Sequence, residues 1–134
     1  MPSKKKIKAE EQPWGREETW ADTPYYRGKF LTINAGHRLS RKYHRSRIHT
    51  VAVVSGVLTI EVGPRFHGDQ IVPVDVEEGE SYDLPSGQIH RFCAETTTVR
   101  LVEVSQSGVT DYIRVEDDYD RITNLPQILK HSDK

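Results

Sequence analysis

The chain has 134 residues, enough for one domain with one core and too few for two. Nineteen basic residues against twenty acidic ones leave a formal net charge of −1, which gives no global argument for a nucleic-acid partner or an anionic membrane surface. Cys93 is the only cysteine, which excludes an internal disulfide; no leader-like segment and no unbroken apolar span of about 18 residues is present, so a cytoplasmic protein is expected.

Lys4, Lys5, Lys6 and Lys8 make residues 1–11 a basic, flexible tail. Residues 12–121 form one domain, opening with a segment that carries Trp14 and Trp20. Phe30 to Ile33 is the first β-rich run, before the turn residues Asn34-Ala35-Gly36. Val51 to Ser55 is dense in β-branched residues and stops at Gly56. Val57 to Val62 and Ile71 to Val76 alternate apolar with polar residues, as half-buried strands do. Ser81 to Leu84 runs into Pro85-Ser86-Gly87, and Val99 to Val104 makes a further strand. Cys93, between Phe92 and Ala94, reads as a small core residue. Asn124 caps a short helix with Pro126 in its first turn, covering Gln127 to Lys130 within the 122–134 segment. Short strands at this spacing, with no internal repeat, define an all-β sandwich or barrel.

Six histidines are spread along this pattern: His37, His44, His49, His67, His90 and His131. Three stand out. His44 ends one β segment and His49 begins the next, across Arg45-Ser46-Arg47. Alternation puts Lys42 and His44 on one face, and the turn can return His49 to it. His90 follows the turn at Pro85-Ser86-Gly87. Three imidazoles suit a divalent ion such as Zn, Mn, Fe or Ni and leave positions open for substrate or water.

These residues also carry a resemblance. Gly36, five residues, Lys42, Tyr43, His44, four residues, His49, six residues and Gly56 match the spacing of the first cupin motif. Gly79, Pro85, Gly87 and His90 match the second, with Ala94 where that motif has Asn. Within cupins the chain resembles the C-terminal domain of type II mannose-6-phosphate isomerases. Pro13-Trp14-Gly15, Ala35 to Ser40, Val53 to Gly56, Leu84 to Arg91, Glu103-Val104 and Ile113 to Arg121 follow that domain in order. The resemblance implies a jelly-roll-like double-stranded β-helix barrel. Cupins commonly pair and antiparallel barrels must cover their edges, so it also implies a homodimer.

The metal positions of those isomerases are typically Gln, His, Glu and His. Here they are Lys42, His44, His49 and His90, which removes the carboxylate and adds a cation. Three readings follow. In a metal-assisted sugar-phosphate isomerase, a lysine deprotonated through burial and a neighbouring cation makes Lys42 the catalytic base, while Arg47 and Arg91 bind the phosphate. Arg38 and Arg45 read as solvated surface groups. A metal-free cupin would instead hold a sugar or anion through Lys42. The third reading, a three-His dioxygenase, is permitted by the ligand set. Fold and site are separate matters, and cupins host many functions.

Overall fold

The computed structural model describes residues 2–65, 70–107 and 112–119. Within them the chain forms twelve strands: β1 (Lys8–Gln12), β2 (Gly15–Asp22), β3 (Tyr26–Ile33), β4 (His37–Arg38), β5 (Arg41–His44), β6 (His49–Ser55), β7 (Leu58–Arg65), β8 (Val72–Val76), β9 (Ser81–Leu84), β10 (Gln88–Ala94), β11 (Val99–Gln106) and β12 (Tyr112–Glu116). One sheet has the order β1-β2-β3-β11-β6-β9. The other has the order β12-β5-β10-β7-β8, with the short β4 also paired to β10. Every pairing is antiparallel.

The sheets close on a common core because alternation sends one apolar set from each strand inward. Trp14, Leu31, Ile33, Val51, Val53, Leu84, Val99 and Leu101 come from the first sheet; Leu39, Leu58, Ile60, Val76, Phe92 and Ala94 come from the second. Gly56 turns β6 toward β7 with φ of +82°, and a Cβ there would lie 2.5 Å from the Thr98 carbonyl oxygen. Only glycine satisfies both demands.

The six expected β runs all correspond to strands, several of them longer; the two alternating runs begin one residue later than expected, at Leu58 and Val72. The other strands lack that signature. β10 is buried along almost its whole length on both faces, so it does not alternate. β1 begins at Lys8, inside the segment expected to be a flexible tail. None of Lys8 to Glu11 is buried, and pairing to β2 from Lys8–Thr19 to Gln12–Gly15 holds the strand through its backbone. Of the two tryptophans, Trp14 lies in the core and Trp20 is partly exposed over Phe30. The helix expected over Gln127 to Lys130 lies outside the described residues, as do His67 and His131. No helix among the described residues is long and apolar enough to cross a membrane.

Cys93 occupies the core position expected of it and is 4% exposed. Burial, reinforced by the Glu61 carboxylate and opposed by Arg91 and Arg38, pushes its thiol up to about 12. The native protein should therefore leave a thiol-specific disulfide reagent unreacted at pH 8 and release one equivalent after unfolding in denaturant. Rapid labelling of the folded chain would show that Cys93 is reachable.

Candidate metal centre and cavity

Lys42 and His44, two residues apart on β5, both face the interior cavity. The His44 carbonyl accepts a hydrogen bond from the Gly87 N–H at 2.6 Å. Gly87 has φ of +79°. The turn at Pro85-Ser86-Gly87 thereby ties the end of β5 to the start of β10, and His90 follows directly opposite Lys42. His49 opens β6, paired with Leu84 at the end of β9. Two motifs distant in sequence thus deliver three imidazoles to one place.

All three rings are buried: His44 is 8% exposed, His49 5% and His90 1%. Their centroids lie 4.8 Å (His44–His49), 5.0 Å (His49–His90) and 6.1 Å (His44–His90) apart. One nitrogen from each lies within 4.8 Å of the others. Hydrogen bonding fixes the tautomers of two of them. His90 Nδ1 is 2.9 Å from the Gln88 carbonyl oxygen, which can only accept, so this nitrogen carries the proton. His49 Nδ1 donates in the same way to Glu103 Oε2 at 2.8 Å. The Nε2 atoms of both rings are buried with no hydrogen-bond partner among the described residues. Burial first, and then the charge of His49, holds His90 well below its usual range and keeps it neutral. Imidazoles with Nδ1 held from behind and Nε2 presented forward match the donor set of a mononuclear divalent metal site.

Glu103 changes the balance inferred from the sequence. His49 stands where the motif has Glu, and Glu103 on β11 places a carboxylate immediately behind it. Its burial alone would raise the carboxyl group. The hydrogen bond from His49 and the charges of His49, Lys42 and Lys29 outweigh this and hold it well below the usual carboxylate range.

Beside the histidines lies a cavity of about 250 Å³, small among ligand pockets. Arg27, Lys29, Lys42, Arg47 and Arg114 line it, against the carboxylates Glu17 and Glu103. Lys29 is paired with Glu17, and Arg27 lies 3.5 Å from Asp22. The Tyr112 ring lies 5.2 Å both from Lys42 Nζ and from the Arg114 guanidinium carbon. Burial lowers Lys42 to about 8, with Arg114 adding to the effect and Glu103 opposing it. The Lys42 ammonium is still the main form at pH 7, so cations dominate the lining.

Of the residues singled out from the sequence, Lys42, His44, His49, His90 and Arg47 converge. Arg91 does not. It alternates with His90, faces the opposite side of the sheet, is 0% exposed and bonds Glu116. It cannot touch a ligand in the cavity. Arg38, read as a surface group, pairs with Asp118 through two hydrogen bonds on that same outer side. Five charged cavity residues carry no sequence-based expectation: Glu17, Arg27, Lys29, Glu103 and Arg114. The signal existed for three of them. Arg27 and Lys29 alternate in step with the core residues Leu31 and Ile33, and Glu103 with Val99 and Leu101; a charge in a core register must have company.

A family model described as Mannose-6-phosphate isomerase C-terminal matches residues 3–124. The chain is 25% identical over 114 residues to a mannose-1-phosphate guanylyltransferase of Escherichia coli, covering 82% of this chain and 23% of that protein. The capsular polysaccharide assembling protein CapF of Staphylococcus aureus superposes with a TM-score of 0.74 at 18% identity, over 83% of this chain and 34% of CapF. A conserved protein with a double-stranded β-helix domain from Klebsiella pneumoniae superposes with a TM-score of 0.62 at 15% identity, over 87% and 90% of the two chains. The chain spans about a quarter of that curated relative and a third of CapF. The barrel is the cupin fold that the two histidine motifs implied, and the chain belongs to the mannose-6-phosphate isomerase C-terminal family.

Proposed function

We propose that this cupin is a metal-dependent enzyme acting on a small anionic sugar derivative, with mannose-6-phosphate/fructose-6-phosphate interconversion as the leading reaction. One observation carries this reading: two buried imidazoles with fixed Nδ1–H donors present unpartnered Nε2 atoms beside a third ring. His44, His49 and His90 would hold the ion, which when bound supplies Lewis acidity to a substrate oxygen. The family match supports the sugar-phosphate class, and the cationic lining supports a negative charge on the ligand. Arg47, Arg27 and Arg114 are proposed to hold the phosphate, a task suited to guanidinium groups. Lys42 is proposed to exchange the proton that aldose–ketose isomerisation moves between adjacent carbons.

A second reading rests on Lys42 itself, a cation where relatives of this kind place a metal ligand: a metal-free module that binds an anionic sugar. Metal uptake separates the two. Untagged protein titrated with Zn, Mn, Fe or Ni should bind one equivalent of at least one of them, and His90→Ala should abolish that binding. Binding of none would leave the metal-free module. Glu103→Gln should weaken metal binding by about 10- to 100-fold, because the carboxylate fixes the tautomer and raises the basicity of His49. Unchanged affinity would sever Glu103 from the centre.

The activity is tested by mannose-6-phosphate turnover. With metal present, Lys42→Met should lower kcat by at least about 100-fold, the scale of a lost general acid or base. An active Lys42→Met enzyme would remove Lys42 from the chemistry.

A cytoplasmic homodimer belongs to the same proposal. The first sheet exposes Trp20, Val54 and Val104, an apolar content that association would cover. Light scattering should then give twice the 15.4 kDa chain mass, and a monomer at micromolar concentration would exclude the dimer.

A further inference from the structure

β12 is a five-residue strand at the edge of its sheet, and it supplies Tyr112 and Arg114 to the cavity wall. Regular alternation would put Glu116 on that same inner face. The register prevents it. Tyr112, Ile113 and Arg114 stand opposite His44, Tyr43 and Lys42, but Glu116 stands opposite Arg41, one residue early. The extra residue on β12 makes a bulge, and Glu116 turns to the outer side.

Two arginines meet it there. Arg41 Nη1 donates to Glu116 Oε2 at 2.9 Å. Arg91 Nη1 donates to Glu116 Oε1 at 3.3 Å, and its Nη2 donates to the Glu116 carbonyl oxygen at 3.0 Å. Arg91 is fully buried and stands on β10, a central strand with neighbours on both sides. Beyond the strand, Arg38 grips Asp118 at 2.6 and 2.9 Å, and the Tyr119 hydroxyl lies 2.7 Å from His37 Nδ1. A guanidinium at such depth is sustained only by its partners, and among the described residues Arg91's side-chain hydrogen bonds all go to Glu116.

We propose that Arg91 is a positioning residue: through Glu116 it holds the bulged β12 in the register that presents Tyr112 and Arg114 to the cavity. It thereby sets the cavity's affinity for anions from the opposite face of the sheet. The affinity half of this inference rests on the anion reading above; the positioning half does not.

The test compares Arg91→Gln, Glu116→Gln and the double variant in the full chain, with inorganic phosphate as the probe. Hydrogen exchange of the Tyr112 to Glu116 amides, the proton contact between the Tyr112 and His44 rings, and the phosphate Kd are measured. Those rings stand edge to face, 6.0 Å apart. Each single variant should speed β12 exchange about tenfold or more relative to β11, weaken the ring contact and raise the phosphate Kd about tenfold, the scale of a lost charged hydrogen bond. The double variant should be no worse than Arg91→Gln. The sign of the Glu116→Gln effect is decisive: long-range electrostatics alone would tighten phosphate binding by removing a negative charge, whereas loss of positioning loosens it. Tighter binding, or unaltered β12 exchange and ring contact, would overturn the proposal. Should Arg91→Gln fail to fold, Glu116→Gln carries the test alone. If the wild type takes up no phosphate, the anion reading fails, and the exchange and ring-contact measurements still decide the positioning.

Discussion

A charge placed inside a barrel has to be met there by an opposite charge or a hydrogen bond, and the bond from His49 to Glu103 meets that demand at the centre of this molecule. Glu103 stands on β11 between β3 and β6, directly opposite Lys29 on one side and beside His49 on the other. Lys29 in turn pairs with Glu17 on β2. Across four neighbouring strands the interior contacts therefore run acidic, basic, acidic and imidazole, stepping diagonally by one inward position at each end. The next row along β11, with Leu31 opposite Leu101 and Leu101 opposite Val53, is dry. The boundary between packed core and working cavity is one step of the strand pleat wide.

That arrangement makes sense of the substitutions at the metal positions. Relatives of this kind place a carboxylate among the direct ligands; here it sits one bond further out, against the back of an imidazole. Glu103 therefore places a negative charge behind the His49 ring as a hydrogen-bond acceptor. Lys42 stands at the remaining motif position, where the Glu103 charge opposes the lowering of its pKa by burial. The result is a cluster of three imidazoles beside a cavity lined mostly by cations.

The sequence made much of this legible. The spacing of Gly36, His44, His49 and Gly56, and of Gly79, Pro85, Gly87 and His90, set the barrel and brought three histidines together, because turns and alternation act over short range. What failed to show was long-range or backbone-borne. β1 has no buried side chain ahead of Gln12, so no apolar pattern could betray it. β10 is buried on both faces and so shows no alternation. Arg91 sits beside a site histidine in the chain, yet faces away from the cavity, because neighbours on a strand point apart. Its real partner, Glu116, depends on a bulge that composition does not encode. Arg27, Lys29 and Glu103 were visible as charges in core registers, but which charge meets which depended on strand order.

The sheet order described above also bears on how this barrel stays a discrete object. Each edge carries some deterrent against recruiting another strand. β1 offers Lys8, Glu10 and Glu11; β9 is only four residues long. β8 includes Pro73, which has no amide hydrogen to give, and β12 is broken by its bulge. Open-ended, fibril-like stacking through the backbone is therefore disfavoured at each sheet edge among the described residues. Contact between copies is left to the faces of the sheets, where side chains rather than unpaired amides decide the fit.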